Sequence, residues 1–202
     1  NGFSSYFHPL DNIKAVTQKY IPATGYLFFL GNTDPKKNTP RTLKAYHLYL
    51  QQSKEKRPLL IADLKPEYVD EILKETGLED IRPYLHLPGY IANTDLPFIY
   101  NGAFAFLYTS LRESFGIPLL EAMACGIPVI TSNTSSMPEI GGEGAILTDP
   151  ADEQSIAVQL LLLEPDKEYY LKQSAYGLRR AKCFSWEQTA RKLLKLYQST
   201  VK

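Results

Sequence analysis

Short, continuously apolar runs alternate along the chain with longer stretches in which apolar residues recur at helical spacing. Tyr26–Leu30 is apolar and aromatic throughout and ends at Gly31, the pattern of a strand buried on both faces. Pro58–Ala62, Tyr84–Leu87, Ala103–Tyr108, Pro128–Thr131 and Gly144–Leu147 repeat it, with Pro88-Gly89 expected to stop the run at Leu87. Between these runs, Thr39 as N-cap and Pro40 in the first turn predict a helix through Leu43, Tyr46 and Leu50. Pro66 opens another, with Val69, Ile72 and Leu73 on one face and Gly77 closing it. Shorter helices are expected at Leu96–Tyr100 and Ile117–Ala124, the latter ended by Gly126, and Gly141-Gly142-Glu143-Gly144 reads as a turn.

The last third reads as helical. Asp149-Pro150 and Ser185 predict helix starts, the second with Gln188 in capping-box form, and Ser136 with Glu139 predicts another such box. Trp186, Ala190, Leu193, Leu194 and Tyr197 share one face of the final helix, a stripe expected to pack into the core. Buried strands alternating with helices predict an α/β fold, a Rossmann-like doubly wound parallel sheet of about six strands forming one domain over residues 1–202.

Composition narrows the function classes. The chain has 202 residues with 44% hydrophobic and 22% charged, ordinary globular usage. Its 22 Lys+Arg balance 22 Asp+Glu, so the broad positive field of a nucleic-acid binder is absent. From Pro165 onward there are nine Lys/Arg against three Asp/Glu, a local net of +6. That terminus is expected to be a solvated helix face, with docking on an acidic partner or membrane as the alternative. No apolar run approaches the roughly 18 residues of a membrane span, and the polar opening Asn1-Gly2-Phe3-Ser4 does not read as a signal peptide. Cys125 and Cys183, both read in mainly apolar helical neighbourhoods, cannot build a disulfide framework, so a reduced cytoplasmic location is expected.

A doubly wound sheet binds ligands beyond the carboxyl ends of its strands, which directs attention to the loops after Leu30, Leu87, Tyr108 and Thr131. The first carries Gly31, Asn32, Lys36 and Lys37 just before a helix, a plausible anion site. It matches neither the dinucleotide fingerprint nor the P-loop. The loop after Tyr108 leads through Glu113, Phe115, Gly116 and Ile117 into a helix whose free N–H groups would receive a phosphate or sugar oxygen. Glu113 and Glu121 could both face that cleft and accept bonds from hydroxyls. The three histidines, His8, His47 and His86, are scattered without metal-ligand spacing.

Glu113 and Glu121, with seven residues between them, enclose Phe115-Gly116, and Ala122–Ile130 follows. This arrangement resembles the motif of retaining GT-B glycosyltransferases of the family 4 type, glycosyl transferases group 1. Asn1-Gly2 with Phe7-His8-Pro9, Gly31 with Lys36-Lys37-Asn38, Leu87–Ile91, Ser136–Ile140 and Phe184-Ser185-Trp186 are similar to further landmarks of that family in the same order. The resemblance implies the C-terminal, donor-binding half of a GT-B fold, with an N-terminal acceptor-binding half elsewhere and no catalysis by this half alone. It implies a hexose, mannose or glucose first among candidates, moved from GDP-sugar or UDP-sugar to a glycan or lipid-linked acceptor in polysaccharide biosynthesis, without a metal or other cofactor.

By the same resemblance Glu121 would hold the ribose hydroxyls, Glu113 the hydroxyls of the transferred sugar, and Lys37 the diphosphate, together with the amides of Phe115, Gly116 and Ile117. Backbone at Gly89, Tyr90 and Ile91 would bracket the base. Asn32 stands where many family members carry arginine, so either Lys36 takes over that charge or one phosphate contact is lost. Retention is implied by the resemblance alone, with Glu113 positioning the sugar instead of attacking it. Two other readings stay open: a sugar-nucleotide epimerase or a phosphorylase of related fold, the latter needing a pyridoxal-phosphate lysine, and a non-catalytic module docking on a partner or the inner face of a membrane.

Overall fold

The computed structural model describes residues 1–200. After a short helix α1 (Lys14–Thr17), β1 (Tyr26–Leu30) leads into α2 (Thr39–Gln52), β2 (Leu59–Ala62), α3 (Pro66–Thr76) and β3 (Leu85–Gly89). Then come α4 (Leu96–Gly102), β4 (Ala103–Tyr108), α5 (Ile117–Ala124), β5 (Val129–Ser132), α6 (Met137–Gly141) and β6 (Ile146–Thr148). Three helices finish the chain: α7 (Glu153–Leu163), α8 (Lys167–Ala181) and α9 (Trp186–Thr200). The six strands form one parallel sheet in the order β3-β2-β1-β4-β5-β6. Strand order therefore reverses between β1 and β4, and a doubly wound sheet opens a crevice there.

Both faces of the sheet are covered, which is why its strands read as unbroken apolar runs instead of alternating ones. Tyr26 and Phe28 of β1 join Phe106 and Tyr108 of β4 in a core with Tyr100 of α4 and Leu119, Leu120 and Met123 of α5. Leu27 and Phe29 point the other way, with Leu43 and Tyr46 of α2, Val69 of α3 and Leu160 of α7. Phe28, Tyr100, Phe106 and Tyr108 form a chain of aromatic contacts with ring centroids 5.2–5.6 Å apart. Such pairs favour edge-on or offset packing beyond simple burial.

Several local expectations need correction. Thr39 is not the N-cap of α2. Asn38 occupies the N-cap position in the left-handed conformation at φ 62°, without a side-chain capping bond, leaving Thr39 as the first helical residue. Strand β3 runs through Pro88-Gly89 instead of stopping before them, and its edge position tolerates a residue without an N–H. Helix α7 starts beyond Asp149-Pro150. Asp152 caps it by accepting from the Gln154 N–H at 2.9 Å, while Asp149 accepts from the Ala151 N–H at 2.8 Å in the preceding turn. The Ser136–Glu139 capping box does not form, whereas Ser185 does accept from the Gln188 N–H at 3.1 Å. Cys125 is buried but Cys183 is exposed.

The largest departure is α9. Its Trp186, Leu193, Leu194 and Tyr197 are 53%, 46%, 57% and 63% exposed, so the stripe expected in the core faces outward. Periodicity shows that a helix has an apolar face; it does not say what covers it. Among the described residues, no helix is long and apolar enough to cross a membrane.

Candidate functional site

The loops after β1 and β4 meet at the switch point and are tied together there. The Leu111 N–H donates to the Lys36 carbonyl at 2.7 Å. The Asn38 amide donates to the carbonyls of Thr109 (3.1 Å) and Pro150 (2.8 Å), and the hydroxyls of Thr42 and Thr109 share a bond at 2.6 Å. Asparagine suits this corner because it tolerates the left-handed backbone and offers an amide to two carbonyls at once. The turn Pro35–Lys37 is thereby fixed so that its last side chain crosses to the other loop.

There Lys37 Nζ donates to Glu113 Oε1 at 2.7 Å, both side chains largely buried. Lys37 also lies over the Tyr108 ring, 5.1 Å from its centroid. Burial works against the Glu113 carboxylate, but the Lys37 ammonium and hydroxyls of Ser110 and Tyr108 outweigh it and leave its pKa below the ordinary value. Lys36 turns instead to Asp34 at 2.9 Å, both exposed. The Asn32 side chain accepts from the Asp34 N–H at 2.9 Å and so shapes the turn.

Ser135 and Ser136 clasp the β4 loop. Ser135 Oγ accepts from the Glu113 N–H at 3.2 Å and donates to its carbonyl at 2.7 Å, while Ser136 Oγ lies 3.0 Å from the Glu113 carbonyl and 3.1 Å from that of Phe115. This is what Ser136 does in place of capping α6. Gly116 follows at φ +98°, and a Cβ there would lie 2.8 Å from Met137 Cε. Only glycine fits. With Gly116 at its N-cap, α5 starts without a side-chain cap; Pro118 has no N–H and the Leu119 N–H donates to the Gly116 carbonyl at 3.1 Å, so the Ile117 N–H is the first-turn amide left for a ligand.

Glu121 sits one turn into α5 and reaches a different neighbourhood. Tyr100 OH donates to its Oε2 at 3.2 Å, and burial raises its pKa to about 7 despite that bond. It lines a cleft of about 710 Å³ together with Ser4, Phe7, His8, Asn93 and Leu96. Lys37 and Glu113 do not line that cleft; they meet Glu121 around Tyr108. The Tyr108 hydroxyl is held far above its usual pKa by burial first, then by the Glu113 and Glu121 charges. The structure thus brings Lys37 and Glu113 into one pair and sets Glu121 against Tyr100 in a separate cleft. Gly89 ends β3, Tyr90 is 71% exposed and Ile91 is buried in the core.

Sequence reasoning missed Tyr100, Tyr108, Ser135 and Asp63. Buried tyrosines look like core in a sequence, and nothing in the serine pair's spacing shows that it grips a loop. Asp63 follows β2 at φ 62°, and its carboxyl is raised on balance, partial burial outweighing the opposing charge of Lys37. Among the described residues, no group of three His, Cys, Asp or Glu side chains could hold a metal ion.

Residues 18–180 match the model of glycosyl transferases group 1. The chain belongs to that family. It is 35% identical over 185 residues to O-antigen chain mannosyltransferase B of Escherichia coli, covering 91% of this chain and 48% of that protein. It is 30% identical over 192 residues to the serotype-specific mannosyltransferase WbdA of Escherichia coli, covering 93% of this chain and 23% of that one. The chain thus spans about half, or less, of the curated relatives it matches.

Among solved structures, the C-terminal domain of a Francisella tularensis group 1 glycosyltransferase superposes with TM-score 0.73 at 24% identity, covering 91% of this chain and 97% of that one. HepE of Anabaena, solved with UDP and glucose, superposes with TM-score 0.82 at 19% identity, covering 100% of this chain and 56% of that one. These likenesses place the six-stranded sheet and its flanking helices within the GT-B glycosyltransferase architecture.

Proposed function

We propose that this chain is the donor-binding half of a retaining hexosyltransferase that uses GDP-sugar or UDP-sugar, with mannose as the first sugar to try. The observation that carries the reading is the Lys37–Glu113 pair at 2.7 Å, set at the β1/β4 switch point beside the uncapped start of α5. Departure of a nucleoside diphosphate builds negative charge. A fixed ammonium and free amides there lower the barrier electrostatically, and losing one such donor costs about 3 kcal/mol in activity. On binding, Lys37 turns its charge to the diphosphate and the low-pKa Glu113 carboxylate accepts from sugar hydroxyls. Glu121, in the cleft beside Tyr100, accepts from the ribose. No metal is needed when the lysine and amides take that charge.

The names of the two mannosyltransferase relatives support the sugar, and the O-antigen chain named for the first supports a glycan or lipid-linked acceptor. Acceptor binding would come from a further, N-terminal domain and full activity would need both halves, with the outward apolar face of α9 a surface for that domain to cover. We place the reaction in the cytoplasm.

Titration calorimetry of the 202-residue chain with GDP and UDP tests the reading. At least one should bind, and Lys37→Ala and Glu121→Ala should each weaken it by about 1.5–3 kcal/mol, the usual worth of a hydrogen bond to a charged group. No binding of either nucleotide at millimolar concentration contradicts it.

A further inference from the structure

Helix α2 is 14 residues long, and no side chain caps its N-terminus. Asn38 spends its amide on Thr109 and Pro150 instead. The next residue, Thr39, is 2% exposed, yet its hydroxyl has no hydrogen-bond partner. Buried hydroxyls are normally bonded, so an unpartnered one asks for a ligand. Thr39 forms part of the wall of a pocket of about 510 Å³ that also includes Asp34, Arg41, Lys44, Tyr68 and Glu153.

The charges around this pocket favour an anion. Asp34 is matched by Lys36 at 2.9 Å, and Glu153 stands 4.0 Å from Lys44. Arg41 has no carboxylate partner among the described residues; its guanidinium reaches only the Asn38 side-chain oxygen at 3.4 Å. With Asp34 and Glu153 each beside a lysine, the Arg41 guanidinium is the surplus charge, and with the helix N-terminus and a spare hydroxyl it offers what a phosphate takes. The pocket shares neither Lys37 nor Glu113 with the switch-point site, and its volume leaves room for a group attached to the phosphate.

We propose that this pocket binds a phosphate dianion, free or as a small phosphomonoester, separately from the Lys37–Glu113 site. The test is a titration of inorganic phosphate into the isotope-labelled 202-residue chain, at constant ionic strength in chloride, followed by amide NMR. The Thr39 and Arg41 amides should shift along a saturating curve. The double variant Arg41→Ala/Lys44→Ala should weaken the apparent affinity by about tenfold or more, as expected when charged donors are lost. Thr39→Val, which keeps the shape and removes the hydroxyl, should weaken it severalfold without lowering the thermal midpoint of the phosphate-free protein. Lys37→Ala should leave it unchanged.

A parallel titration with a hexose phosphate separates the two sources. Equal affinity at the same amides identifies the free anion, and tighter binding identifies the ester; either supports the site. Shifts that stay linear, that chloride reproduces, or that centre on Lys37 and Glu113 and vanish in Lys37→Ala overturn it.

Discussion

Glu113 and Glu121 share a motif, yet their surroundings drive them in opposite directions. Glu113, held by Lys37, is depressed, so it stabilises the fold above its unfolded value near 4.5 and loses that contribution as pH falls further. Glu121 is raised from 4.5 to about 7 by burial, so its contribution is complete below 4.5 and is lost as pH climbs through 7. In that window the folded chain holds a proton that the unfolded chain has released. Denaturant titrations at a series of pH values should show stability falling across it in the parent. Glu121→Gln should remove most of the fall, on the order of 2–3 kcal/mol. If parent and variant show the same pH slope, the carboxyl is not buried as described.

The elements carrying these residues depend on a few backbone devices. Gly116 turns the β4 loop into α5 at a positive φ against Met137, so Gly116→Ala should destabilise the chain by about 1–3 kcal/mol in urea denaturation. The Ser135–Ser136 clasp predicts a separable effect. Ser135→Ala should change stability by no more than about 1.5 kcal/mol while loosening Glu113, detected as faster amide exchange there. The strands were legible because burial on both faces leaves a continuous apolar run, as in Tyr26–Leu30. The loop chemistry was legible only in part. Lys37 and Glu113 stand out by charge beside a helix start. The helix starts of α2 and α7 were placed wrongly because a left-handed Asn38 and an Asp152 cap compete with neighbours that look equally suitable. Tyr108, on which the two halves of the site converge, gives no signal distinct from core packing.

At the scale of the molecule, the positive terminus is shared between α8 and α9, and α9 carries the outward apolar stripe. Leu194→Ser and Tyr197→Ser should change stability by less than about 0.5 kcal/mol, as for exposed positions. Leu120→Ala, in the core beneath the sheet, should cost about 2–5 kcal/mol. A large loss at α9 in the 202-residue chain would mean that its stripe is packed after all. A longer polypeptide that covers the helix should instead protect its amides from exchange and make the same serine variants costly.

We propose that a nucleoside diphosphate lies across the β1/β4 switch point, between Lys37, the start of α5 and Glu121. Amide NMR of the chain titrated with GDP or UDP tests it most directly. Saturating shifts should cluster at Lys37, Glu113–Ile117 and Glu121 and be lost in Lys37→Ala. Shifts confined to α9 or to the α2 pocket, with these residues unmoved at saturation, would contradict it.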